Sequence, residues 1–258
     1  MTFDAIIENG LYFDGTGAEP AIRHVGLKDG RVSAISVDSL DSVGCGIVID
    51  ATDRWVTPGF IETHSHYDAE VLASPALSES VRHGVTTVTI GLCSLSTIVA
   101  SPDDCSDIFT RVEAVPERAV KPILRREKTW SEPAQFVEHL RSLPLGPNVA
   151  GYLGHSDLRA AVMGLERSTS KARPTRRELE TMKSLLHKAL DAGLLGLSTM
   201  TTKLDRVDGD VAWERPLPST FARWSEYRGL HRILRKRDAI LQSAPDAVGR
   251  INLVLFLA

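Results

Sequence analysis

From Val56 onward the chain repeats one theme: an apolar strand-like run, a loop, then a helical stretch. The strand candidates are 56–63, 86–92, 148–153, 194–198, 239–242 and 252–257, and helical patterns fall at 75–83, 133–143, 175–192 and 225–237. Strands alternating with helices pair in parallel, because a crossover helix is what returns the chain to the same end of the sheet. Thr175 is placed to cap the third helix with Glu178 as its capping-box partner, and Gly193 to stop it. About six such βα units can be counted before Ala258. A closed barrel of this class needs eight strands, so the expectation is an incomplete (β/α)8 barrel over 56–258. An open six-stranded α/β sheet is the alternative. The sequence then reads as a truncated product, or as a subunit completed by another chain or by a second copy of itself.

Residues 1–55 differ in style. Short strands meet turns at Gly10 and Gly17, and Val25-Gly-Leu-Lys-Asp-Gly-Arg-Val-Ser-Ala-Ile-Ser36 is a hairpin pattern with Asp-Gly at its turn. This segment is expected to be a small β-sandwich-like domain without a catalytic cluster.

Chemistry concentrates where the first barrel strand ends, in Thr57-Pro-Gly-Phe-Ile-Glu-Thr-His64-Ser-His66-Tyr-Asp68. On a strand, side chains at i and i+2 share a face, so His64 and His66 point the same way. Two converging imidazoles suit a divalent transition metal. Cys93 ends the β-branched run Gly84-Val-Thr-Thr-Val-Thr-Ile-Gly-Leu-Cys93. That places it at the C-terminal end of the second barrel strand, the face that carries active sites in such barrels. A thiolate there suits Zn²⁺, as a third ligand or as a bridge between two ions. His155 and Arg159, in Gly154-His-Ser-Asp-Leu-Arg159, follow the third strand; they orient substrate or support the ligands from behind, or they pin the loop. Asp68 either hydrogen-bonds a ligand histidine or caps the segment after it.

Bulk properties narrow the partners. A net charge of -3 argues against a general nucleic-acid binder. No apolar run is long enough to span a bilayer, and the N-terminus lacks the pattern of a signal peptide. Three cysteines, an odd number without a CxxC pair, do not build a disulfide framework, so the cytoplasm is the expected compartment. The basic stretch 228–237 has Leu230, Ile233 and Leu234 on one helical face, which reads as a helix covering a barrel. Arg125-Arg-Glu-Lys128 reads as surface.

Several motifs together resemble the amidohydrolase superfamily, and within it the D-aminoacylase (N-acyl-D-amino-acid deacylase) branch. They are Phe3-Asp-Ala-Ile-Ile-Glu-Asn-Gly, Asp14-Gly-Thr-Gly17, the His64-Ser-His66-Tyr-Asp68 run, His83-Gly-Val-Thr-Thr-Val, Cys93, Gly154-His-Ser-Asp-Leu-Arg159 and Gly193-Leu-Leu-Gly-Leu-Ser-Thr199. The resemblance covers essentially the whole chain, at the N-terminal half of a family member. It implies a distorted TIM-type barrel with a flanking β-domain. It further implies one or two zinc ions at the barrel mouth, and hydrolysis of small N-acyl-D-amino acids. Most two-metal members bridge their ions with a carboxylated lysine on the fourth strand; here Leu195-Gly-Leu-Ser-Thr199 has none, and Cys93 matches the cysteine that the D-aminoacylase pattern uses instead. The family also takes histidines from the fifth and sixth strands. In this chain Gln242 and Ser243 stand on the fifth, and 252–257 contains no histidine. The family's catalytic aspartate would lie beyond Ala258, so the isolated chain is expected to be weakly active at best. A cyclic-amide hydrolase of the hydantoinase or dihydroorotase kind, and a non-catalytic remnant, are the competing readings.

Overall fold

The structure, a computed structural model, describes residues 2–245. The sixth-strand candidate at 252–257 lies outside them. The chain divides into two compact units, with the boundary between Phe60 and Ile61.

The first unit is one mixed sheet of β1 (Ala5–Tyr12), β2 (Ala21–Lys28), β3 (Arg31–Ser36), β4 (Ile47–Asp50) and β5 (Trp55–Val56). The order is β3-β2-β1-β4, with β5 also on β1. The β2–β3 hairpin turns through Asp29 and Gly30, both with positive φ (51° and 69°), as a two-residue Asp-Gly turn requires. The two strands expected before and after Gly10 are one: β1 runs through, with a shift of register between Ile7 and Gly10. Asn9 takes the left-handed conformation there (φ 60°), and a Cβ on Gly10 would collide with Val56. Trp55–Val56 pairs with β1, so this strand serves the small unit and not the barrel. The single strand expected over 56–63 is therefore two, interrupted at Thr57-Pro58-Gly59, because proline has no N–H to give a ladder.

The second unit is a mixed α/β layer around a parallel sheet curled as half of a barrel. Its strands are β6 (Phe60–Glu62), β7 (Val85–Ile90), β8 (Asn148–Gly154), β9 (Gly196–Met200) and β10 (Ile240–Ala244), in the order β10-β9-β8-β7-β6. The pairs β7–β8, β8–β9 and β9–β10 are parallel. Between them run helices that bury one face. Arg176–Asp191 starts on the capping box of Thr175 and Glu178, buries Met182, Leu186 and Ala189, and packs on the helices Pro133–Ser142, His155–Met163 and Trp224–Lys236. Gly193 follows it with φ 100°, a conformation that a Cβ would strain. The basic helix Trp224–Lys236 buries Tyr227, Leu230, Ile233 and Leu234, as the spacing implies.

Helices Pro102–Phe109, Glu117–Glu127 and His155–Met163 go beyond the sequence expectation. The first is capped by Ser101, whose side chain accepts from Asp104 N–H, with proline at the first helical position. The surface reading of 125–128 fails at its last residue. Lys128 is buried, and its ammonium donates to the carbonyls of Ile98 and Trp130.

Candidate metal centre at the mouth of the half-barrel

β6 ends at Glu62, so His64 and His66 stand in the turn after the strand and not on it. They converge all the same, since the turn is tied down on both sides. Ser65 points inward and donates to the Thr89 carbonyl on β7 at 2.6 Å, and Thr89 Oγ1 donates back to the Glu62 carbonyl at 3.1 Å. With Ser65 anchored in the sheet, its two neighbours face the mouth.

Cys93 arrives from β7 through a distorted corner. Gly91, Cys93 and Ser94 all have positive φ (75°, 51° and 73°). The corner is held from across the sheet. Gln242 on β10 accepts from the Cys93 N–H at 3.0 Å, and Ser198 on β9 accepts from the Ser94 N–H at 3.1 Å. Downstream, the Asp157 carboxylate accepts from the N–H groups of Ile98 and Ala100 and from the Ser96 hydroxyl, so the loop carrying the cysteine is locked.

The result is a cluster in which His64, His66 and Cys93 each offer a ligand atom, all within 4.8 Å of one another. His66 Nε2 is 3.3 Å from His64 Nε2, and Cys93 Sγ is 3.2 Å from that same nitrogen. Ligands around a tetrahedral zinc ion, with bonds of about 2.05 Å to nitrogen and about 2.3 Å to sulfur, stand about 3.3 Å (N to N) and about 3.6 Å (N to S) apart. The donor set and its spacing therefore fit zinc.

Protonation points the same way. Burial, with His64 beside it, lowers His66 to about 4, so its imidazole is neutral at pH 7 and keeps a lone pair for a cation. Burial, with the nearby carboxylates of Glu113 and Asp205, pushes the Cys93 thiol up to about 11. A bound cation would reverse that and hold the thiolate.

Glu113 and Asp205 lie close enough to act electrostatically on Cys93, and neither carried a signal in the sequence. Glu113 Oε1 stands 3.3 Å from His66 Nδ1. Burial, then the charge of Asp205, raises Glu113 to about 7. Asp68 is buried, accepts from the Gly91 N–H, and is raised to about 7 by its burial. Its Oδ2 has no hydrogen-bond partner among the described residues.

His155 and Arg159 are fully buried, at 0 % exposure. Both close on Glu226, a residue without a signal in the sequence. His155 Nε2 lies 2.8 Å from Glu226 Oε1, and Arg159 Nη1 donates to the same oxygen at 2.7 Å. The other imidazole nitrogen, Nδ1, is 3.2 Å from the Thr199 hydroxyl. Burial lowers His155 against the pull of the Glu226 carboxylate beside it. Burial by itself would raise Glu226, but the hydrogen bond and charge of His155, and then the charge of Arg159, outweigh it and hold the carboxyl at about 2.

No family model matches the chain. An uncharacterized protein of Mycobacterium tuberculosis is 54% identical over 257 residues, which is 99% of this chain and 42% of that protein. An N-acyl-D-glutamate deacylase from Bordetella bronchiseptica, solved with zinc and a phosphonate inhibitor, superposes with a TM-score of 0.79 at 27% identity, covering 100% of this chain and 48% of that one. A D-aminoacylase with a binuclear metal centre superposes with a TM-score of 0.78 at 26% identity, covering 99% and 48%. The chain is a homologue of the D-aminoacylases of the amidohydrolase superfamily. It spans about half the length of these deacylases. Among the described residues, no helix is long and apolar enough to cross a membrane.

Proposed function

We propose that the protein is a zinc-dependent hydrolase that cleaves the amide bond of N-acyl-D-amino acids. The observation that carries this reading is the convergence of His64 Nε2, His66 Nε2 and Cys93 Sγ at the strand ends of a D-aminoacylase homologue. Since the chain spans about half the length of its relatives, the activity is proposed for the whole protein. Zinc in such a site supplies Lewis acidity to the scissile carbonyl and lowers the pKa of water. The residues here would do the holding: His64 and His66 through ring nitrogens, and Cys93 as a thiolate. Gln242 fixes the Cys93 backbone so that the sulfur faces the histidines. We assign His155 and Arg159 a supporting role through Glu226, and Asp68 a place beside the ligands. Three free thiols suit a reducing cytoplasm.

The test is Cys93→Ala in the whole protein, with zinc content and deacylase rate measured together. Unchanged zinc and rate would sink the ligand assignment. A panel of N-acyl-D-amino acids and cyclic amides decides the substrate class, because ring opening without N-acyl cleavage would overturn the deacylase reading.

A further inference from the structure

His66 has one ring nitrogen committed to the cluster and one that faces away from it. The second, Nδ1, is buried and lacks a hydrogen-bond partner with good geometry among the described residues. The Glu113 carboxylate is 3.3 Å from it, with the two side chains only 17% and 20% exposed. A buried ring N–H without an acceptor is costly, so a carboxylate at this distance is where the proton on Nδ1 is expected to point.

Glu113 is not on a free loop. Its N–H donates to the Phe109 carbonyl, and the Val115 N–H returns to Thr110 at 2.9 Å, which closes a tight turn after the helix Pro102–Phe109. The segment after β9 clamps this turn. Thr110 Oγ1 donates to Asp208 at 3.1 Å, the Asp208 N–H donates to the Asp107 carbonyl at 2.7 Å, and Arg111 donates to Glu214 while lying 4.6 Å over the Trp213 ring. Two elements are thus spent on holding one carboxylate against one histidine.

We infer that Glu113 is a positioning residue: its carboxylate takes the His66 Nδ1 proton as a hydrogen bond, fixing the tautomer whose Nε2 lone pair faces His64 and Cys93. The side chain touches no substrate. It acts through His66, by setting which nitrogen is free and which way the ring faces. This rests on the metal-centre reading above, but one of its readouts does not depend on metal.

The experiment uses the whole protein carrying Glu113→Ala or, separately, Glu113→Gln. The His66 tautomer is read by nitrogen-15 NMR on metal-free protein, and zinc affinity by competition with a chelator. Wild type is expected to hold His66 as the Nδ1–H tautomer. Glu113→Ala is expected to mix the tautomers and weaken zinc by about 10- to 100-fold, the range for removing such a partner. Glu113→Gln still offers an oxygen to Nδ1–H, so it is expected to restore the tautomer and to bind zinc with an affinity between the other two. Folded Glu113→Ala with the wild-type tautomer and affinity overturns the inference. If that variant does not fold, wild type is read alone, and an Nε2–H tautomer of His66 in the metal-free protein overturns the inference. Wild type that takes up no zinc overturns the metal centre instead, and the tautomer measurement still decides the role of Glu113.

Discussion

His155 and His66 sit in the same parallel-sheet unit, and each has a glutamate beside it, yet the fold completes only one of them. His155 is sealed. Its two nitrogens meet Thr199 and Glu226, and the charge of Glu226 is answered by Arg159 at 0 % exposure. His66 is half open, packed with a second histidine and a thiol at ligand spacing, and its carboxylate neighbour is near without making a good bond. Both groups are polar, buried or partly so, and rich in titratable atoms. What separates them is whether the chain itself supplies the counter-charge. A group that is electrically complete holds the structure together. Three ligand atoms gathered at this spacing suit a cation that arrives from outside.

The contrast can be broken by experiment. Its largest consequence should come from Glu226→Ala, which leaves Arg159 buried without its anion. Unfolding by denaturant should show a loss of about 3–5 kcal/mol, and a loss under 1 kcal/mol would mean that the sealed group is not a structural unit. His155→Ala should cost less, about 1–3 kcal/mol, because Arg159 still answers the carboxylate.

Acid should find the same group. Glu226 is held at about 2 in the fold, against 4.5 for the unreacted carboxyl. A depressed carboxyl binds fewer protons folded than unfolded, so its contribution is present above pH 4.5 and is lost as the pH falls toward 2. Stability measured over that window should fall more steeply for wild type than for Glu226→Gln, and parallel slopes would remove Glu226 from the account.

The smallest effect on stability belongs to the open cluster. His64 is exposed, so His64→Ala should change the unfolding free energy of metal-free protein by no more than about 0.5 kcal/mol, while titration shows zinc affinity lost. A large destabilisation without metal would make the cluster a structural one after all.

Sequence reading reached the open cluster more readily than the sealed one, and the reason is spacing. His64 and His66 are neighbours along the chain, and Cys93 ends a recognisable β-branched run, so all three declare themselves locally. Strand alternation was to align the histidines, whereas they lie past the end of β6 and are aligned by the inward hydrogen bond of Ser65. Glu226 meets His155 across 71 residues, and Gln242 meets Cys93 across 149. Such pairings are created by the curl of the sheet, and no local pattern encodes them. Glu113 is likewise delivered by a turn whose register depends on the segment after β9. The helix caps at Thr175 and Gly193 were legible because each is decided within a few residues, and the interruption at Pro58 escaped notice because the apolar pattern continues across it.

The backbone at Cys93 and Ser94 has a consequence for how these positions vary. Both hold positive φ, a conformation that costs a side-chain-bearing residue on the order of 1 kcal/mol and glycine almost nothing. A library randomised at the two positions and selected for folding alone should drift toward glycine and asparagine at 93 but keep serine at 94, whose buried hydroxyl accepts from the Ser156 N–H at 2.8 Å. Selection for zinc retention should instead keep cysteine at 93. The two sets of survivors would then report, position by position, where the chain is shaped by its own stability and where by its chemistry.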